Sequence, residues 1–242
     1  MWEQLFKKTN MIETIGLTKQ FGSFTALDSL TFKVNAGEIF CLLGANGAGK
    51  STTIGLLLDF IKPTAGKALI GDINVAERPL DVKRMVSYIP ENLMLYPKFS
   101  GLENLDFFCR LSGKKYGKEG LLHFLAEAGL PVDFALKRVE IYSKGMRQKV
   151  GIALTLAKDA RVLLLDEPTS GLDPKSSNEF GELLQRMSEK KVAVLMATHD
   201  LFRARQTATH IGIMRGGQLL ETMPVSDLSG ADLEHLYLSL VN

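Results

Sequence analysis

Gly44-Ala45-Asn46-Gly47-Ala48-Gly49-Lys50-Ser51-Thr52 is the stretch around which the rest of the chain is read. It fits G-x-x-x-x-G-K-[ST], the spacing of a phosphate-binding loop. Before it, Glu38-Ile39-Phe40-Cys41-Leu42-Leu43 reads as a buried strand; after it, Thr53 to Phe60 reads as the start of a helix. That strand–loop–helix setting is what the motif requires. Gly44, Gly47 and Gly49 let the backbone turn tightly and bring its N–H groups up to a polyphosphate, and the helix N-terminus adds positive potential. Lys50 supplies a compact charge for the β- and γ-phosphates, and Ser51 an oxygen ligand for Mg²⁺.

The 242 residues suffice for one large α/β domain with a full core. Composition is globular, 45% hydrophobic and 23% charged, and a net charge of +2 speaks neither for nor against a nucleic-acid surface. Cys41 and Cys109 each sit in an apolar run, as small core residues of a reducing compartment do. No apolar run approaches the length of a membrane span, and the N-terminus lacks the apolar core of a signal peptide, so a soluble, cytosolic chain is expected. Met11 opens the patterned region, which leaves residues 1–10 as an extension.

Residues 11–43 look like a small β-region. Met11 to Leu17 is strand-like, and Ala26 to Val34 alternates apolar and polar residues up to the turn Asn35-Ala36-Gly37. Phe21, between the two, is an exposed-looking aromatic beside a glycine. Beyond the loop helix, Lys62 to Gly66 is a turn, and Lys67 to Ile70 and Val86 to Ile89 are short strands. The texture then becomes helical. Ser100-x-x-Glu103 is a capping box ahead of Leu102, Leu105, Phe108 and Leu111 at helical spacing, and Leu121 to Ala128 is a second helix stopped by Gly129 and Pro131. Lys144 to Lys158 is a helix with Met146, Val150, Ala153, Leu154 and Ala157 inward; residues 92–158 make an inserted helical subdomain. Val162 to Leu165 and Val192 to Ala197 are buried parallel strands, Asp173-Pro174 starts a helix as N-cap and first residue, and Ile211 to Glu221 is a hairpin. Residues 226–242 form a tail whose helix carries Leu233, Leu236 and Leu240.

Val162-Leu163-Leu164-Leu165 ends in Asp166-Glu167, a carboxylate pair at the edge where parallel sheets bind ligands. Asp166 suits the Mg²⁺ shell and Glu167 a general base beside the γ-phosphate. His199 closes the next strand on the same edge, where an imidazole can donate to a phosphate oxygen.

Seven elements occur in one order: Phe21; Gly44 to Thr52; Tyr88-Ile89-Pro90-Glu91; Tyr142-Ser143-Lys144-Gly145-Met146-Arg147-Gln148; Leu165-Asp166-Glu167-Pro168; Ser170-Gly171-Leu172-Asp173; and His199. Together they resemble the ATPase subunit of an ATP-binding cassette (ABC) transporter, over residues 11 to about 225. The phosphate loop is common to many NTPases, whereas the Tyr-Ser-Lys-Gly-Met segment followed by Asp-Glu-Pro-Thr-Ser-Gly-Leu-Asp is specific to this family. The resemblance implies an α/β, P-loop NTPase (RecA-like) fold: a parallel-sheet core, an N-terminal antiparallel β-subdomain and the inserted helical subdomain. It implies that Phe21 stacks on adenine and that Gly44, Asn46, Gly47, Gly49, Lys50, Ser51 and Thr52 hold the phosphates. Ser143 and Gly145 would reach ATP bound to a second copy, and Asp173 would lie at the seam. Glu167, His199 and Lys50 carry the hydrolysis, with Ser51, Asp166 and Glu91 around Mg²⁺.

Two positions depart from the family pattern. The signature usually reads Leu-Ser-Gly-Gly-Gln, and Lys144 adds a charge with no partner legible in the sequence. Glu91 stands where the family commonly has glutamine, adding a negative charge near phosphate. Both variants are similar to those of the subgroup that pairs with separate exporter-type permeases. The implied partners are a second copy of the chain and an integral membrane permease, with no nucleic acid; the implied place is the cytoplasmic face of the cell membrane, reached through the permease. Glu91 and the loop Asn92 to Phe99, with Leu93, Met94, Leu95 and Tyr96, form the expected docking cleft for the permease. A ribosome- or DNA-acting ATPase would carry two cassettes or a coiled-coil insertion, a GTPase would carry Asn-Lys-x-Asp, and a non-hydrolysing cassette would lack Glu167 or His199.

Overall fold

The structure, a computed structural model, describes residues 10–228 and 230–241. Two sheets meet at the phosphate loop. The first is antiparallel, built from β1 (Asn10–Phe21), β2 (Phe24–Asn35), β4 (Ala65–Ile70) and β5 (Ile73–Asn74) in the order β2-β1-β4-β5. The second uses β3 (Ile39–Leu43), β6 (Val86–Ile89), β7 (Val162–Asp166), β8 (Ala193–Thr198), β9 (His210–Arg215) and β10 (Gln218–Pro224), in the order β10-β9-β3-β8-β7-β6. Its pairs are parallel except the β9–β10 hairpin.

The central strands read as unbroken apolar runs because both faces are covered. Successive residues point to opposite faces. Cys41, Leu163, Leu165, Val194 and Met196 enter one apolar cluster; Phe40, Leu42, Leu164, Leu195 and Ala197 enter the other. The second cluster is closed by the antiparallel sheet and by α1 (Lys50–Leu57). The first continues without a break into α3 (Gly101–Leu111), α4 (Lys118–Glu127) and α6 (Lys144–Lys158), and includes Leu183 and Leu184 of α7 (Pro174–Glu189). Between these lie α2 (Pro79–Met85) and α5 (Val132–Ala135); α8 (Leu201–Thr207) and α9 (Gly230–Val241) follow. Both cysteines are buried and free, and burial pushes the Cys109 thiol up to about 11.

Several boundaries differ from the sequence expectation, each for a physical reason. β1 begins at Asn10, one residue before the expected Met11; residues 1–9 lie outside the described residues. β1 also runs on to Phe21, because a register shift after Thr14 lets it keep both neighbours past Leu17. α1 starts at Lys50, directly from the loop. The capping box forms, Ser100 Oγ accepting from the Glu103 amide at 3.2 Å while Glu103 accepts from the Ser100 amide at 2.7 Å. The buried face of α3, however, is Gly101, Asn104, Leu105 and Cys109, and Leu111 is 69% exposed. Asn104 wins the inside because its amide satisfies the backbone of Tyr96 in both directions and accepts no solvent in exchange. Among the described residues no helix is long and apolar enough to cross a membrane.

Candidate nucleotide site

Both sheets press on the phosphate loop. Gly49 has φ 106°, and a Cβ there would come within 2.7 Å of Leu27 and 2.8 Å of the Ala26 carbonyl. A Cβ on Gly44 would come within 2.5 Å of the Met214 carbonyl, so the loop is seated between β2 and β9. Lys50 follows, 5% exposed, its Nζ donating to the carbonyls of Gly44 (2.7 Å) and Ala45 (3.1 Å).

The register of β7 on β8 sets Asp166 beside Ala197, which brings Asp166-Glu167 alongside Thr198-His199. Ser51 Oγ donates to Asp166 Oδ1 at 3.1 Å. Burial pushes the Asp166 carboxyl above its ordinary value; the Glu167 and Glu91 carboxylates add to this, and the Ser51 bond and Lys50 oppose it. Glu167 sits at φ 45°, left-handed for a residue with a side chain, and its amide is tied to the Ala197 carbonyl at 2.9 Å. That conformation turns its carboxylate across the sheet edge. Oε2 accepts from Thr198 Oγ1 at 3.1 Å. Oε1 lies 3.6 Å from Lys50 Nζ and 3.0 Å from His199 Nδ1, yet it is buried with no well-aligned hydrogen bond. An acceptor so placed is ready for a water.

Lys50, Ser51, Asp166 and Glu167 line a cavity of about 280 Å³ whose wall also includes Phe24, Asn46, Gly47, Thr52 and Glu91; Thr198 and His199 touch Glu167 and are not part of that wall. Phe21 stands at the end of β1, 49% exposed, with Lys19 Nζ 4.8 Å from its ring centre; it is not part of that wall. Phe24, 62% exposed, is. The two face each other across the Gly22-Ser23 turn, and an aromatic on each side of a two-residue glycine turn was the available signal for the second. Thr198, which holds Glu167, was likewise missed, since threonine at a strand end has no distinguishing pattern.

Ser143, Gly145 and Asp173 lie elsewhere. Ser143 is exposed and caps α6, its Oγ accepting from the Met146 amide at 3.2 Å. Gly145 faces Ser176 at the start of α7, and Asp173 caps α7 by accepting from the Ser176 amide (2.9 Å) and hydroxyl (2.6 Å). These bonds hold the Asp173 carboxyl below the usual range.

Among the described residues no cluster of three or more His, Cys, Asp or Glu forms a protein-only metal cage. Mg²⁺ bound with a nucleotide needs none, because it takes one or two carboxylates and completes its shell with phosphate oxygens and water. Ser51 touching Asp166, with Glu91 on the same wall, supplies hard oxygen donors of that kind.

The raised Asp166 pKa has a stability consequence. A carboxyl that holds its proton more tightly when folded favours the fold at low pH, and that advantage disappears as pH rises through the folded value. Asp166→Asn is therefore expected to raise the melting temperature of the nucleotide-free chain at neutral pH in EDTA. The gain shrinks as pH falls toward the ordinary aspartate range. Melting curves across that pH range check both the sign and the window.

A phosphate loop at the carboxyl edge of a parallel sheet, with two carboxylates beside its lysine, defines a nucleotide-hydrolysing P-loop enzyme. The sequence profile of the ABC transporter family matches residues 27–170. The bacitracin transport ATP-binding protein BcrA of Bacillus licheniformis is 34% identical over 96% of this chain and 76% of its own length. The daunorubicin/doxorubicin resistance ATP-binding protein DrrA of Streptomyces peucetius is 32% identical over 92% of this chain and 68% of its own length. Among solved structures, an ATP-binding subunit of an ABC transporter superposes with a TM-score of 0.83 at 29% identity, covering 95% of this chain and 99% of that one. A dimeric cassette in a post-hydrolysis state with ADP and Pi gives 0.78 at 26%, covering 89% and 99%. The chain belongs to the ABC transporter family and is an ATP-binding, ATP-hydrolysing subunit of it.

Proposed function

We propose that two copies of this chain close head to tail on two molecules of ATP, and that hydrolysis there drives a separate membrane permease in the direction of export. The observation that carries this reading is the division of the phosphate-binding groups. Lys50, Ser51, Asp166 and Glu167 converge on one cavity, while Ser143 and Gly145 stand at the open N-terminus of α6 with no phosphate group of their own chain to meet. The exposed N-terminus of a fifteen-residue helix is a place where a second molecule's γ-phosphate can bind.

In this arrangement Glu167 Oε1 takes a proton from the attacking water, and Thr198 and the Glu167 backbone hold the carboxylate in line. With Nδ1 of His199 turned to Glu167, the other imidazole nitrogen is the one available to a phosphate oxygen. Lys50 neutralises the phosphates, Phe24 with Phe21 beside it offers the adenine a stacking surface, and Asp173 meets the partner copy at the seam. Ser51, Asp166 and Glu91 would hold Mg²⁺, which would supply charge neutralisation to the phosphates. Export is supported by the relatives, whose names tie them to bacitracin transport and to daunorubicin and doxorubicin resistance. The chain then works peripherally, on the cytoplasmic face of the cell membrane.

Mixing tests the composite site. Lys50→Ala and Ser143→Arg chains are each inactive alone, and together they regain hydrolysis, because a mixed dimer contains one site with both halves intact. Absence of recovery in mixtures shown to contain mixed dimers contradicts the reading.

The docking loop has a divided character. Leu93 and Leu95 turn inward, while Met94 is 82% exposed over a groove of about 760 Å³ that Phe60, Leu80 and Tyr88 also line. Met94→Asp is expected to abolish permease-dependent transport while ATP affinity stays within about twofold, since Met94 lines the groove and not the nucleotide cavity. Unchanged transport in membrane vesicles would remove the docking assignment.

A further inference from the structure

Lys144 is the charge by which the signature segment departs from the family pattern. Its position is electrostatically adverse: it is the first residue of α6, where the helix dipole disfavours a cation. The fold gives it a partner. Lys144 Nζ donates to the Ser170 carbonyl at 2.7 Å. One turn further on, Gln148, 1% exposed, donates its amide to the Pro168 carbonyl. Residues four apart share a helix face, so α6 grips the segment 168–170 at two points.

That segment leaves directly from Glu167 and its left-handed backbone. Its other attachment runs to the cavity wall, where Ser170 Oγ donates to Glu91 Oε1 at 3.1 Å. Lys144, Ser170 and Glu91 therefore form one relay from the turn that carries Ser143 and Gly145 to the wall of the nucleotide cavity. Glu91 is also the chain's second departure from the family pattern, and its carboxylate is one of the charges that push Asp166 up. Ser170 is thus held at its carbonyl by the cation and at its hydroxyl by the extra anion.

We propose that Lys144 is a positioning residue for hydrolysis: it fixes the segment that follows Glu167 and offsets the charge of Glu91, so that the two departures are one paired adaptation. This rests on the hydrolytic reading of the cavity. It also gives the site a physical link between its two halves within one chain, since any shift of the α6 N-terminus on meeting a partner's phosphate pulls on Ser170 and thence on Glu91.

A double-mutant cycle tests it with Lys144→Gln, Glu91→Gln and the pair, and Lys144→Arg as the conservative variant. Lys144→Gln is expected to lower kcat about tenfold with the KM for ATP nearly unchanged, the pattern of a displaced catalytic group. Lys144→Arg keeps most of the rate, because a guanidinium can still donate to the Ser170 carbonyl. Adding Glu91→Gln to Lys144→Gln restores part of the lost melting temperature of the nucleotide-free protein. Additive melting shifts would overturn the pairing, and a Lys144→Gln effect confined to KM would overturn the positioning role. The melting arm needs no nucleotide, so it judges the pairing independently; a native chain without ATPase activity would instead overturn the hydrolytic reading.

Discussion

Glu167→Gln leaves ATP bound and slows its hydrolysis by about 10²–10⁴-fold, the contribution of a positioned general base. The substitution is nearly isosteric and keeps an acceptor for the Thr198 hydroxyl, so the geometry at the end of β7 survives. What it removes is the proton acceptor at Oε1, the buried oxygen that has no well-aligned partner. It also removes a negative charge 3.6 Å from Lys50, so ATP affinity is expected to hold or rise. Single-turnover phosphate release, measured beside equilibrium ATP binding, separates the two effects. A hydrolysis rate within threefold of native would place the base elsewhere.

Lys50→Ala produces the second large effect, on binding. The ammonium is buried, donates to two loop carbonyls and lies 3.6 Å from the Glu167 carboxylate as an ion pair. Without it the loop loses the charge that meets the phosphates, and Glu167 is left half-buried without its counter-cation. ATP affinity is expected to fall by about two orders of magnitude, consistent with losing a charge-assisted contact in a largely desolvated site. Calorimetric titration measures this directly. The nucleotide-free chain also melts earlier, because the Gly44 and Ala45 carbonyls lose their donor.

The features legible in the sequence were those whose cause is local. The phosphate loop is legible because only glycine tolerates the approach of β2 and β9, and the apolar runs of β3, β7 and β8 because both their faces are covered. The Ser100 capping box and the Asp173-Pro174 helix start depend on residues three apart or fewer, and both form. The order of motifs carried the family resemblance even where Lys144 and Glu91 departed from it.

What stayed hidden depended on residues far apart in the chain. The partner of Lys144 is 26 residues away and is a backbone carbonyl, which no side-chain pattern announces. Ser170 reaches Glu91 across 79 residues, and Thr198 reaches Glu167 across 31. The face of α3 was misjudged because helical spacing counts Leu111 as apolar, whereas tertiary hydrogen bonds decide that Asn104 goes inside. Phe24 carries no motif of its own in the sequence; its place on the cavity wall follows from the hairpin that pairs it with Phe21.

The central claim is that ATP, and not ADP, joins two copies of this chain through the N-terminus of α6. Light scattering on the Glu167→Gln chain after size exclusion tests it most directly. The expected mass is 26.7 kDa with ADP and twice that with ATP, with Ser143→Arg in the same background returning it to the single-chain value. A mass that stays at one chain with saturating ATP, or a dimer that forms equally with ADP or survives Ser143→Arg, would contradict it.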